Sequence, residues 1–158
     1  YRGRGAAAWQ LLFENERAMQ DSGQLGIDFF TRMFQNLRGL LAIVTGQPRV
    51  AAAAARALAR GHGSYCAPMA ALIRGLNEAQ AGRLIAALPL LRAAEDGFAA
   101  AEMALHGACV RLRQGELLGG EAGARLLDEA RAWMTAQGVK SPERMAAMLA
   151  PYARPGAG

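Results

Sequence analysis

Apolar and polar positions along this chain fall into helical runs, and no stretch alternates them as a half-buried strand would. Glycine and proline punctuate the runs. Helices are predicted at 6–19, ending before Asp21-Ser22-Gly23, at 27–45, stopped by Gly46 and Pro48, and at 49–60 over "RVAAAAARALAR". The sequence "GHGS" at 61–64 then breaks the chain and places Ser64 to cap a helix at 65–79. A fifth helix is predicted at 83–98. Pro89 falls inside it, lacks an amide donor and crowds the preceding turn, so a kink or a division is expected there. The sixth is predicted at 100–117, before Gly119-Gly120, and the seventh from Glu121 to near Gly138. Ser141-Pro142-Glu143 reads as N-cap, first-turn proline and acidic first turn of a last helix at 142–150, ended by Pro151. Residues 153–158 read as a flexible tail.

The chain also resembles itself at a shift of 36 residues. "RGL" at 38–40 falls on "RGL" at 74–76, and "RL" at 111–112 falls in the same frame. Gly46 falls on Gly82, Leu90, Leu91 and Ala94 on Leu126, Leu127 and Ala130, and Phe98 on Met134. Each unit reads as two helices with a glycine break between them. A single hairpin cannot bury its apolar face, whereas stacked neighbours bury a continuous core. The expectation is one domain over 1–152, with hairpins at about 27–60, 64–98 and 100–138, a lone helix at each end, and seven to eight helices in all. Gly39 and Gly75 share one repeat position inside a helix, where glycine costs roughly 1 kcal/mol against alanine, so close helix contacts inside successive hairpins are expected there. Arg111 takes that position in the third unit.

Composition supports the helical reading. The chain has 158 residues, 53% of them apolar and 20% charged, a globular balance. Ala and Leu dominate the apolar set and favour helix over strand. The formal charge is +5, carried by 17 Arg and the single Lys140. A basic balance permits contact with nucleic acid, but these arginines are scattered and sit near acids, so they read as a solvated surface. Cys66 and Cys109 lie far apart and read as small buried residues of a protein in a reducing cytoplasm. The uncharged apolar runs, such as 39–46, are too short to span a bilayer, and no signal peptide is visible. The chain begins with Tyr1 and not Met, so a fragment or a processed product is expected.

The repeat resembles the tetratricopeptide (TPR) pattern, with a small residue midway along the first helix, a glycine at the hairpin turn and a small-large-small series on the second. Gly75, Gly82, Ala87, Leu91 and Ala94 fit that series, and Gly39, Gly46, Ala51, Ala55 and Leu58 fit it less well. A narrower resemblance covers residues 67–151, above all "AWMTAQGVKSPERMAAMLAP" at 132–151. This stretch is similar to the C-terminal helical repeats of large bacterial proteins in which a serine/threonine kinase domain precedes a STAND-type ATPase. The resemblance implies a regulatory module that binds a protein or peptide partner, including upstream domains of the same polypeptide.

Candidate chemistry is sparse. A phosphate-binding loop or kinase lobe needs a lysine near the phosphates, and Lys140 lies in the turn "GVKSPER". No GxxxxGK[ST], HRD or DFG is present, so no enzymatic activity and no cofactor are expected. His106 and Cys109 share a helix face, but nothing nearby supplies the two further ligands a metal needs, and His62 sits in a glycine-flanked turn. Glu95-Asp96 and Asp128-Glu129 are adjacent on helices, so each pair diverges and is expected to be solvated, near Arg92 and Arg131. Trp9, Phe13, Phe29, Phe30 and Phe34 are expected in the core, with an exposed patch for a partner as the alternative. Met145 and Met148 are expected to close the end of the core.

In TPR-like stacks the first helices line the concave surface. That resemblance nominates Met33, Asn36 and Leu40, then Met69, Leu72 and Gln80, then Leu105, Leu112 and Glu116 as a partner-binding surface. Two other readings remain: a nucleic-acid-associated helical regulator, and a small-molecule sensor with an apolar pocket between hairpins.

Overall fold

A computed structural model describes residues 5–23 and 27–152, and all of the secondary structure among them is helical. The helices are α1 (Gly5–Asp21), α2 (Asp28–Val44), α3 (Pro48–Ala59), α4 (Cys66–Gln80), α5 (Leu84–Ala100), α6 (Ala104–Leu118), α7 (Gly120–Ala136) and α8 (Pro142–Leu149). The expected tail at 153–158 lies outside the described residues.

The main contacts run between helices adjacent in sequence, from α1·α2 to α7·α8, and α2 also packs on α4 and α6 on α8. One buried cluster runs from Leu40 to Ala150, with Leu58, Ile73, Leu76, Leu91, Phe98, Leu112 and Met134 fully enclosed. Its small members, such as Ala51, Ala55 and Ala94, let neighbouring helices approach. Cys66 and Cys109 are free and buried, as expected.

Four helix ends share one hydrogen-bond pattern, in which the amide two residues past the cap closes a six-residue loop. Gln47 N donates to Ala42 O (2.8 Å), Arg83 N to Glu78 O (2.9 Å), Met103 N to Phe98 O (2.8 Å) and Val139 N to Met134 O (3.0 Å). Each such turn needs one residue in the left-handed region. Gly46, Gly82 and Gly138 supply it at φ 66°, 74° and 79°, but between α5 and α6 the residue is Glu102, at φ 57°. The sequence carries no glycine there, which is why the predicted sixth helix began at residue 100 and ran through the turn.

Other boundaries shift for identifiable reasons. Pro89 neither divides nor ends α5, which continues to Ala100. Tyr65 and not Ser64 occupies the N-cap of α4, with no side-chain cap bond. Ser141 does sit at the N-cap of α8, ahead of Pro142, yet its hydroxyl makes no cap bond. Glu143 of that first turn accepts from Arg131 Nε of α7 (2.8 Å).

Gly75 meets its hairpin partner as the repeat suggested, and Gly39 does so only in part. A Cβ on Gly75 would stand 2.8 Å from Leu91 Cδ2 of α5. One on Gly39 would stand 2.5 Å from Ile73 Cδ1 of α4 and 3.3 Å from Ala54 Cβ of α3, so its tightest neighbour lies beyond its own pair. In the third pair the close approach moves one helical turn along, to Gly115. A Cβ there would lie 2.8 Å from the Gly123 carbonyl oxygen and 3.0 Å from Leu127 N of α7. Arg111 therefore leaves the crossing and reaches Glu95 of α5.

Candidate interaction surface

Four of the nine residues nominated for a partner surface belong to the core. Leu40, Met69, Leu72 and Leu112 are enclosed because the sides of α2, α4 and α6 that carry them face neighbouring helices. The other five, Met33, Asn36, Gln80, Leu105 and Glu116, are half-buried. Met33 and Leu105 pack against the core cluster. Gln80 Nε2 donates to Ile43 O of α2 (3.3 Å) and so ties two helices together. Glu116 accepts from Arg113 Nη1 (2.7 Å). Arg113 is itself buried, and its Nε donates to Ala150 O (2.6 Å), which fixes the end of α8 to α6. Asn36 keeps a buried Oδ1 with no hydrogen-bond partner among the described residues.

The open apolar surface lies elsewhere, on α1 and α2. Leu11, Phe13, Ile27, Phe29, Phe30, Leu37 and Val44 are all exposed, and they make up most of the large apolar side chains that face solvent among the described residues. Of the five N-terminal aromatics expected in the core, Phe34 is buried, Trp9 is partly so, and Phe13, Phe29 and Phe30 are exposed. Their rings meet one another edge to face, Trp9 on Phe13 at 4.9 Å and Phe29 on Phe30 at 5.6 Å, and Phe29 also meets Tyr65 at 6.0 Å. Arg38 sits 6.0 Å above the Phe13 ring and 3.8 Å from Glu16.

The local reason is the sequence of α2. Phe34 and Leu41 turn toward Leu12 of α1, while Gly39, Leu40, Ala42 and Ile43 turn inward. Phe30, Leu37 and Val44, spaced by seven, form a third apolar stripe. The apolar face of α2 is thus wider than its neighbours cover. The periodicity of α2 alone held this signal.

The polar groups are structural. Glu95 is half-buried and not solvated: it accepts from Arg111 Nε (2.7 Å) and from Gln114 Nε2 of α6. Arg111 also approaches Glu129 of α7 at 3.9 Å. His106 packs on Phe98 with ring centroids 5.1 Å apart, and burial pulls its imidazole below the ordinary value. Burial pushes the Cys109 thiol up to about 11, against a smaller opposing pull from Arg113, so at neutral pH it is a thiol. No group of three or more His, Cys, Asp or Glu side chains among the described residues could hold a metal ion. Met145 packs on the core end as expected, but Met148 is exposed. On α3, which contains no acid, Arg49 and Arg56 are exposed, as is Arg60 at its C-cap. No helix among the described residues is long and apolar enough to cross a membrane.

A scan against protein-family models, a search of curated proteins and a search of solved structures each gave no match to this chain.

Proposed function

We propose that the chain is a TPR-like stack of helical hairpins that works as a non-catalytic module for protein interaction or regulation. It resembles, in that role, the C-terminal sensor region of bacterial kinase and STAND-type ATPase proteins, and it takes a protein or peptide partner. The spacing of the turns supports the stack: Gly46, Gly82 and Gly119 separate one set of helix pairs, and Glu102 and Gly138 stand 36 residues apart in the other. The observation that carries the interaction reading is the exposed apolar stripe of Phe30, Leu37 and Val44 on α2. Contiguous apolar surface of this kind marks contact sites far more often than it marks idle surface.

Site-specific photo-crosslinking in the native host tests this. A photoreactive residue in place of Leu37 is expected to yield protein adducts of defined mass, and one in place of the exposed Arg92 on α5 is expected to yield none. Absence of adducts at position 37 overturns the reading. A nucleic-acid role has one observation in its favour, the acid-free α3 with Arg49, Arg56 and Arg60. Three arginines over about three turns supply few phosphate contacts, and affinity for nucleic acid grows with their number.

A further inference from the structure

Positive charge without a counter-charge is concentrated in the middle of the chain. Residues 29–77 contain six arginines and no acid. Arg32 and Arg38 pair with Asp28 and Glu16, both outside that stretch. The other four are Arg49 and Arg56 on α3, Arg60 at its C-cap and Arg74 on α4. All four are exposed, and none has an ion pair or hydrogen bond among the described residues.

Three of the four form a row. Arg49, Arg56 and Arg60 are spaced by seven and four residues, which puts them on one side of α3. Arg60 keeps helical backbone angles, φ −87° and ψ −4°, so the row continues through the C-cap. Its length is about 16 Å at the rise of a helix. Ala52, Ala53 and Ala59 stand around it, half-buried or exposed. Alanine offers a guanidinium no competing partner, and its single methyl lets another helix come close. None of the large apolar side chains exposed among the described residues lies on α3.

We propose that this face of α3 docks an acidic helix of a partner protein, with three carboxylates of the partner meeting Arg49, Arg56 and Arg60. Carboxylates four and seven residues apart share one side of a helix, so a partner helix laid along α3 repeats the spacing of the row. Single-stranded nucleic acid would find no aromatic ring here on which to stack a base. An anionic membrane would find no large apolar side chain to take up. The face is separate from the apolar stripe of α2, so its test and crosslinking at position 37 have independent outcomes.

Fluorescence anisotropy of two labelled peptides titrated with the whole chain tests this. Both are built on alanine and glutamine and are about 20 residues long, enough to be helical in isolation. One carries three glutamates spaced four and seven apart on a single face. The other has the same composition with the glutamates spread around the helix. The one-faced peptide is expected to bind about tenfold tighter, the combined strength of three exposed ion pairs, and the difference should shrink as salt rises. Arg49→Ala, Arg56→Ala and Arg60→Ala together are expected to abolish the difference. Circular dichroism should stay unchanged, because all three side chains are exposed. Arg92→Ala and Arg125→Ala, at exposed positions of α5 and α7, are expected to leave the difference intact. Equal binding of the two peptides overturns the proposal, and so does a preference that survives the triple substitution. Duplex DNA or phosphatidylserine vesicles held through these arginines more tightly than the one-faced peptide overturn it as well.

Discussion

At the scale of single residues, Gly75 shows how a local cost reports a packing need. Its α4 backbone lies so close to α5 that a Cβ would meet Leu91 Cγ at 2.9 Å and Leu91 N at 3.3 Å. The side-chain atom can move, but the backbone nitrogen belongs to a helix and cannot move alone. Gly75→Leu is expected to lose about 1–3 kcal/mol in chemical denaturation, and equal stability with the parent would remove the close contact. His106 gives the pH dependence. Unfolded, its imidazole takes up a proton near 6.5, while in the fold burial against Phe98 holds the value lower. Between the two values the unfolded chain binds more protons, so stability is full above 6.5 and falls as pH drops through the folded value. The slope should be smaller in His106→Gln, measured by denaturant midpoints between pH 7 and about 5. That both glycines sit at close contacts was legible in the repeat of "RGL", because a glycine kept inside two helices needs a reason, but the contact of Gly39 with Ile73 of α4 was not. The burial of Leu40, Met69, Leu72 and Leu112 was not, because a family's inner face says nothing of how deeply this chain's own neighbours cover it.

At the scale of elements, helix existence was legible and one helix start was not. Glycine marks a left-handed turn only where the chain uses glycine, and Glu102 makes the same turn without it. The pattern was still recoverable: the Phe98–Met103 pair closing that turn repeats as Met134–Val139 at a shift of 36. An L-residue held in the left-handed region costs roughly 1–2 kcal/mol, offset in part by the greater freedom glycine has when unfolded. Glu102→Gly is therefore expected to stabilise the chain by about 0.5–1 kcal/mol, and a loss of thermal stability would mean that the Glu102 side chain compensates for the strain. The capping serines were legible as positions but not as bonds. Ser141 stands where a cap should stand, and Pro142 behind it sets the helix without the hydroxyl. α2 was the element whose periodicity said most and was read least. Its aromatics suit a core or an exposed patch equally in the sequence, and only the placement of α1 shows which stripe has no cover.

At the scale of the molecule, charge is distributed in ways that limit what it can bind. Arg32, Arg38, Arg83, Arg111, Arg113 and Arg131 are each engaged with a carboxylate. The surplus is left to scattered positions such as Arg49, Arg56, Arg60 and Arg92. Duplex DNA is expected to bind weakly and non-specifically, with Kd about 10⁻⁴–10⁻⁶ M at physiological salt and a shallow salt dependence. A value tighter than about 10⁻⁷ M would instead make α3 a nucleic-acid contact. The pattern of contacts has a mechanical consequence as well. Each helix leans mainly on the next one in the chain, so no single bundle of contacts holds the two ends together. Under tension between its termini such a chain yields by peeling. α1 comes away first, because the small Leu12–Phe34–Leu41 cluster, Trp9 and the Arg38–Glu16 pair are its main attachments. The inner pairs then open in turn, each with its own resisting force, so the molecule behaves as a graded spring, soft at its first helix and stiff across α4 and α5.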